Sequence, residues 1–574
     1  GSILYNGQAG LIDLDLNQQQ KVLSAYGYAS TQPDYSSFLV AGRPKTGQSL
    51  DEVRDLLLEE VAKLREGDFD EKLIEATINN YKMQLMRSFE ENDSRAILYV
   101  YSFISGADWA DEVARIDRMS KITKQDVVDW ANKYLGPESY AIVYKREGKD
   151  PNEQKIAAPK ITPIVTNRDS QSEFLTEIQN SKVEPIEPVF VDYKKDMSQF
   201  EAQKGVNVLY KKNETNDIFT LIYVFNTGTE NDPALNLAFD YLSYLGTDKM
   251  SAEQIASEMY AIACSFGLSA GTNQSWIEIS GLSENMGKAM EIVEGLIAGA
   301  QPNEEILQNL KGDMIKSRAD AKLNQSRCFG ALQRYMIYGS DFIRRTTLTD
   351  PALQGLTSEQ LLAKIGDLMG KQHEVLYYGP QDEAEVKAAL AAHHKVAADL
   401  QPLEKKFSTL QPTDENKVML AQYDAKQLYY MQYSNRGEKF DLAADPQITL
   451  YNEYFGGGMN TIVFQEMREA RGLAYSAWAN LAIPTNAKGD YYYMAFIATQ
   501  NDKMQKAIEA FDEIINNMPE SEKAFDIAKE ALISRLRTER TVKDGVLWSY
   551  IRMRDLGLTE PRLSLIHISE PTRP

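Results

Sequence analysis

The chain has 574 residues, 43% hydrophobic and 25% charged, enough apolar content for several packed domains of roughly 100–200 residues each. Its 62 basic and 83 acidic residues leave a net charge of -21, which argues against nucleic acid or an anionic membrane surface as a partner. Two cysteines, Cys264 and Cys328, exclude a disulfide framework or CxxC metal cluster, and no run of about 18 apolar residues marks a membrane span.

The chain opens Gly1-Ser2-Ile3 without a Met and enters at once what reads as the middle of a strand–loop unit. Ser49 and Glu52 then form a capping box before a helix with the apolar stripe Val53, Leu56, Leu57, Val61 and Leu64, stopped at Gly67. Asp70-Glu71 open a second long helix. Thr123 caps a shorter one with Val127, Ala131 and Tyr134 at helical spacing, ended by Gly136 and followed by a predicted strand at Tyr140–Tyr144.

Residues 148–200 scatter Pro151, Pro159, Pro163, Pro185 and Pro188 among polar residues, which predicts a mostly extended linker. A second unit follows, with strands at Val206–Tyr210 and Phe219–Phe225 and a helix through Leu237 to Leu245. Its later part repeats the first unit at a fixed interval: Ser283 follows Ser49, Glu304 follows Asp70, Thr357 follows Thr123 and Gly370 follows Gly136, each by 234 residues. Two tandem copies of one α+β unit are therefore expected. A strand at Glu374–Tyr378 and a helix from Glu383 to about Val396 lead to a third unit.

That unit has predicted strands at Gln427–Tyr433 and Tyr491–Phe496. Asn501 is expected to cap a helix with Met504, Ala507, Ile508, Phe511, Ile514 and Ile515 inward, ended by Pro519. Residues 564–574 break all periodicity and read as a non-native tail.

Four histidines are present. His393 and His394 are adjacent, about 100° apart on a helix, and cannot chelate as an i, i+4 pair would; a solvated face is expected. His373 begins a strand with no evident partner, and His567 lies in the tail. No metal-ligand set is read from the residues.

The most specific string is Gly456-Gly457-Gly458, Phe464-Gln465-Glu466-Met467-Arg468 and Arg471-Gly472-Leu473-Ala474-Tyr475. Consecutive glycines permit a tight turn and close backbone approach. Phe464, Met467 and Leu473 are expected on the apolar side of the helix and its exit. Arg468 offers a planar fork of donors, and Tyr475 a hydroxyl on a rigid ring.

This string resembles the arginine–tyrosine signature of the M16 (pitrilysin/insulinase-like) zinc metallopeptidases. The resemblance implies tandem two-layer α+β domains, antiparallel-rich sheets with helices packed on one face. It further implies a catalytic domain in which HxxEH and a later Glu bind Zn²⁺ and activate water. No HxxEH occurs in this chain; the matching positions of the second unit hold Leu237, Asp240 and Tyr241. By resemblance, residues 1–147 are an N-terminally truncated second domain of the catalytic half, 148–200 a linker and 201–381 a degenerate third domain. Residues 382–399 are a connecting helix and 400–563 a C-terminally truncated fourth domain.

The implied function is that of a metalloendopeptidase fragment acting on peptides or short unfolded polypeptides, inactive alone. Zinc and a missing N-terminal catalytic domain would belong to a parent protein of the bacterial periplasm or cytoplasm. Arg468 and Tyr475 would support substrate and transition state, with Gly456, Gly457 and Gly458 approaching substrate and Arg471 a competing cation. The alternatives are a non-catalytic partner or scaffold that binds peptides for a separate catalytic subunit, and an unrelated α+β repeat protein.

Overall fold

The computed structural model describes residues 1–146, 148, 172–184 and 186–562. His567 and the tail at 564–574 lie outside the described residues, as do Pro151, Pro159, Pro163 and Pro185.

In the first unit, β1 (Ser24–Ser30) and β2 (Ser37–Arg43) form an antiparallel pair. The expected capping box Ser49–Glu52 starts α1 (Leu50–Glu66), and Gly67 ends it in the left-handed region at φ 76°. Helices α2 (Lys72–Phe89), α3 (Asn92–Ser105) and α4 (Lys124–Tyr134) follow, the last with a capping box from Thr123 to Asp126. Leu4, Ile12, Leu16, Val53, Leu57, Leu64 and Ala131 make the core. Tyr140–Tyr144 is not a strand. A strand exists only through its ladder, and β1 and β2 pair only with each other. The Tyr144 hydroxyl instead donates to Asp51 at 2.7 Å and accepts from Arg54 at 3.1 Å.

The span expected to be an extended linker contains a helix at Glu173–Asn180 and a helical turn at Tyr193–Asp196. Ser172 and Asp192 cap them, supplying the local hydrogen bond that a proline count does not register.

The second unit begins inside that span with β3 (Ser198–Gln203), then β4 (Val206–Lys212) and β5 (Ile218–Phe225). Next come α5 (Leu235–Leu242), α6 (Ala252–Ala261), β6 (Cys264–Ala270) and β7 (Ser275–Leu282). Helices α7 (Met286–Gly299), α8 (Glu304–Ala321), α9 (Gln325–Thr346, broken at Gly339) and α10 (Ser358–Met369) lead to β8 (His373–Gly379) and α11 (Glu383–His393).

The six strands lie in the order β3-β4-β8-β5-β7-β6; β4 and β8 run parallel and every other neighbouring pair antiparallel. Period-two alternation gives the sheet two apolar faces. Val206, Val208, Phe219, Leu221, Val375 and Tyr377 point to the unit's own helices. Leu209, Ile222, Val224 and Leu376 point the other way. Helix α11 ends at His393, and Val386 and Leu390 bury it in this unit's core rather than carrying it across to the next.

Thr357 caps α10 through a capping box with Gln360. Thr357→Ala is expected to lower stability by about 1 kcal/mol, and Thr357→Ser by a few tenths at most, read from urea unfolding midpoints. Equal midpoints for wild type and Thr357→Ala would remove the cap from the account.

The third unit contains β9 (Gln427–Ser434), β10 (Ser476–Ala482) and β11 (Tyr492–Gln500) in the order β10-β11-β9, all antiparallel. Helices α12 (Met504–Asn516), α13 (Glu522–Thr538) and α14 (Gly545–Asp555) follow. Ala507, Phe511 and Ile514 point inward as expected, but Met504 is exposed. Asn501 does not cap α12: its side chain donates to the Ala425 carbonyl at 2.7 Å, and a single 3₁₀ turn carries the chain into the helix. Ser283 likewise opens a 3₁₀ turn ahead of α7.

The two units exchange helices. Before its break at Gly339, α9 lies on the third unit's sheet, with Phe329 against Tyr429 and Phe496 at 5.5 and 5.7 Å between ring centres. In return α14 packs Val546, Leu547 and Ile551 on the outer face of the second unit's sheet. Arg554 adds a forked contact to Glu374 at 2.6 and 2.7 Å.

The histidines depart most from expectation. His394 is buried, not solvated, and His373 has a partner: their Nε2 atoms are 2.8 Å apart. His394 Nδ1 faces the Glu294 carboxylate at 2.6 Å and His373 Nδ1 the Lys371 carbonyl at 2.8 Å. The Tyr223 ring packs on His394 at 4.2 Å.

Candidate functional site

The three glycines end a short helical segment, Asn452–Gly456, whose turns are wider than those of an α-helix. None of the three has a left-handed backbone. Gly456 is buried, and a Cβ there would lie 2.9 Å from the Ala479 carbonyl of β10, so its close approach is to its own sheet. Gly457 and Gly458 are exposed beyond it. Thr461 pins the turn, its hydroxyl donating to the carbonyls of Gly456 and Gly458 at 3.2 and 2.7 Å.

The next helix starts at Ile462–Phe464 and widens into a π-turn at Gln465–Ala470. Ile462, Val463 and Met467 anchor it in the core with Phe511 and Ile497. Phe464 is only partly buried. At Gly472 (φ 57°) the chain reverses, and Leu473 and Ala474 hydrogen-bond back to the Met467 carbonyl. The Tyr475 amide then joins the sheet by donating to the Ala498 carbonyl at 3.1 Å.

This path brings Arg468 between two rings. Its guanidinium carbon lies 4.9 Å from the centre of Phe464 and 5.0 Å from that of Tyr475. Each such contact contributes roughly 0.5–1 kcal/mol at an exposed site. Contact with both rings restrains the guanidinium, which stays partly exposed, so its N–H donors can meet an oxygen. The Arg468 side chain is 41% exposed, and its Nε is 3.6 Å from Glu469, beyond hydrogen-bond range. Tyr475 is 73% exposed, so it is not a core residue.

Arg471, the competing cation, is engaged elsewhere. It pairs with Glu513 at 2.8 Å and Glu466 at 3.4 Å, and the hydrogen bond to Glu513 raises its pKa. A cavity of about 1160 Å³ between the second and third units, bordered by Trp276, Leu450, Tyr492, Arg535 and Trp548, does not include Arg468 or Tyr475.

The described residues do not fit a zinc ion: no group of three His, Cys, Asp or Glu side chains among them could hold a metal. On α5, Leu237 and Tyr241 are core residues. The Tyr241 hydroxyl accepts from the Asn303 amide at 2.7 Å and donates to its carbonyl at 3.1 Å, which ties α5 to the start of α8. Asp240 faces solvent.

Sequence reasoning missed the buried His373–His394–Glu294 chain. One signal was available: His373 shares strand parity with Val375 and Tyr377, which face the core.

The family model for the peptidase M16 inactive domain matches residues 370–532, from β8 to most of α13. An uncharacterized zinc protease of Streptomyces coelicolor is 23% identical over 269 residues, 44% of this chain and 56% of that protein. One from Rickettsia bellii is 24% identical over 310 residues, 52% of this chain and 70% of that one. The chain thus spans little more than half the length of the Streptomyces protein.

Among solved structures, the peptidase M16 inactive domain from Pseudomonas fluorescens aligns with a TM-score of 0.51 at 18% identity, covering 66% of this chain and 92% of that one. The ferredoxin protease FusC, solved in complex with Arabidopsis ferredoxin, aligns with a TM-score of 0.53 at 12% identity, covering 97% of this chain and 65% of that one. Both likenesses concern the fold. Residues 370–532 thus match the M16 peptidase family, and the chain has the α+β architecture expected from its repeats. Among the described residues no helix is long and apolar enough to cross a membrane.

Proposed function

We propose that this chain supplies the substrate-enclosing, non-catalytic half and part of the catalytic half of a zinc-dependent metalloendopeptidase acting on peptides or short unfolded polypeptides. The reading rests chiefly on one observation: Arg468 is presented outward between Phe464 and Tyr475 while the neighbouring Arg471 is tied to two carboxylates. An oriented, partly desolvated donor fork suits a peptide carbonyl, and more strongly an oxyanion developing on it. The exposed backbone at Gly457 and Gly458 can approach substrate; Gly456 supports the turn.

The zinc and the general base come from another unit. Leu237 offers no donor atom, and Tyr241 is committed to Asn303. The purified chain is expected to carry substoichiometric zinc and leave peptides uncut, while still binding an unstructured fluorescent peptide. Arg468→Ala is expected to weaken that binding roughly tenfold, about 1.4 kcal/mol. Stoichiometric zinc with chelator-sensitive cleavage by this chain alone would overturn the assignment.

A further inference from the structure

The chain between Arg468 and Tyr475 turns back on itself at Gly472, and the sheet ladder stops just short of this reversal. β10 begins at Ser476, paired with Ala498, but β11 runs on through Thr499 and Gln500. Facing those two residues the reversal offers no strand, so its backbone groups need other partners.

The amides are taken by the helix that carries Arg468: Leu473 and Ala474 donate to the Met467 carbonyl at 2.9 and 3.3 Å. The carbonyls are taken from the other side. Thr499 Oγ1 donates to the Leu473 carbonyl at 2.5 Å, and Lys503 Nζ to the Gly472 carbonyl at 3.2 Å. These two bonds differ in kind. The Lys503 contact is open to solvent and is made by a long flexible side chain, so it restrains little. Thr499 is 2% exposed and follows Ala495 and Ile497 in the inward row of β11, both of them in the core. A β-branched side chain held there has few rotamers, and its buried hydroxyl has one partner to satisfy.

We propose that Thr499 is a positioning residue for the candidate site. Through the Leu473 carbonyl it fixes the reversal that sets the Tyr475 ring against Arg468, and so governs how the guanidinium is offered to a peptide carbonyl. The inference rests on the preceding reading of Arg468. Without the hydroxyl, the Leu473 carbonyl has to turn toward water to recover a hydrogen bond. The left-handed backbone at Gly472 gives that movement a pivot, and Tyr475 leaves the guanidinium with it.

The test measures binding of an unstructured fluorescent peptide to the full 574-residue chain by anisotropy. Thr499→Val is expected to weaken binding about fivefold, the worth of one hydrogen bond, and Thr499→Ser to stay within about twofold of the wild type. In a chain that already carries Arg468→Ala, Thr499→Val should add less than about twofold, because the group it positions is gone. Thr499→Ala deletes the same bond without a second methyl and serves in its place if Thr499→Val does not fold. Wild-type affinity in the variant lacking the hydroxyl, an undiminished loss in the Arg468→Ala background, or a Thr499→Ser chain that binds no better than Thr499→Val would each overturn this inference alone. An Arg468→Ala chain that binds as tightly as the wild type would instead remove the preceding reading.

Discussion

Arg468→Ala is expected to lower kcat/KM by about 10²–10³ when this chain works together with a zinc-bearing unit, with zinc content unchanged. The magnitude is that of removing one donor aimed at developing negative charge. The stack of Phe464, Arg468 and Tyr475 holds the guanidinium before substrate arrives, so little reorganisation remains for the reaction step. Arg468→Lys should recover little, because an ammonium neither stacks between two rings nor presents a planar fork. Tyr475→Ala should act in the same direction more weakly, by freeing one side of the stack.

The division between kcat and KM decides the role. A loss mainly in kcat assigns Arg468 to the transition state, and a loss mainly in KM assigns it to holding substrate. Unchanged kcat/KM in Arg468→Ala would end either role.

The second large effect concerns acid. Burial first, and His394 second, hold His373 down to about 4 from an ordinary value of 6.5. Its Nδ1–H donates to the Lys371 carbonyl, its Nε2 faces His394, and beyond His394 stands Glu294 with Tyr223 packed alongside. A second proton on His373 would occupy its Nε2, which lies 2.8 Å from His394 Nε2.

The unfolded chain accepts a proton as pH falls below 6.5, whereas the folded chain resists until about 4. Stability is therefore complete above the unfolded pKa and is lost as pH falls through that window. The loss from this group amounts to about 3 kcal/mol. Urea midpoints between pH 7 and pH 4.5 should fall more steeply for the wild type than for His373→Gln. Parallel slopes would assign the acid sensitivity to other groups.

What was legible in the sequence was what is decided locally. The caps at Ser49, Thr123 and Thr357 adjoin the helices they start, and each forms as expected, the two threonines completing capping boxes as Ser49 does. Strands β4 and β5 were likewise legible as short apolar runs, because both faces of their sheet are buried. Tyr140–Tyr144 has the composition of a strand but no neighbour to pair with among the described residues, and composition carries no information about neighbours.

The histidine chain joins β8, α11 and α7, with His394 reaching Glu294 across 100 residues. Adjacent histidines gave no hint of it. At the candidate site, the seven-residue spacing of Arg468 and Tyr475 was plain in the string. Their stacking was not, since it depends on a π-turn and on the reversal at Gly472.

The exchanged helices also constrain the order of synthesis. Strands β4, β5 and β8 are complete once residue 379 has emerged, yet the helix that covers their outer face begins at Gly545. Leu209, Ile222, Val224 and Leu376 thus face water, or a holding chaperone, through most of the translation of the third unit. The two units reach the native state together, and an interruption between them leaves a sheet with one naked side.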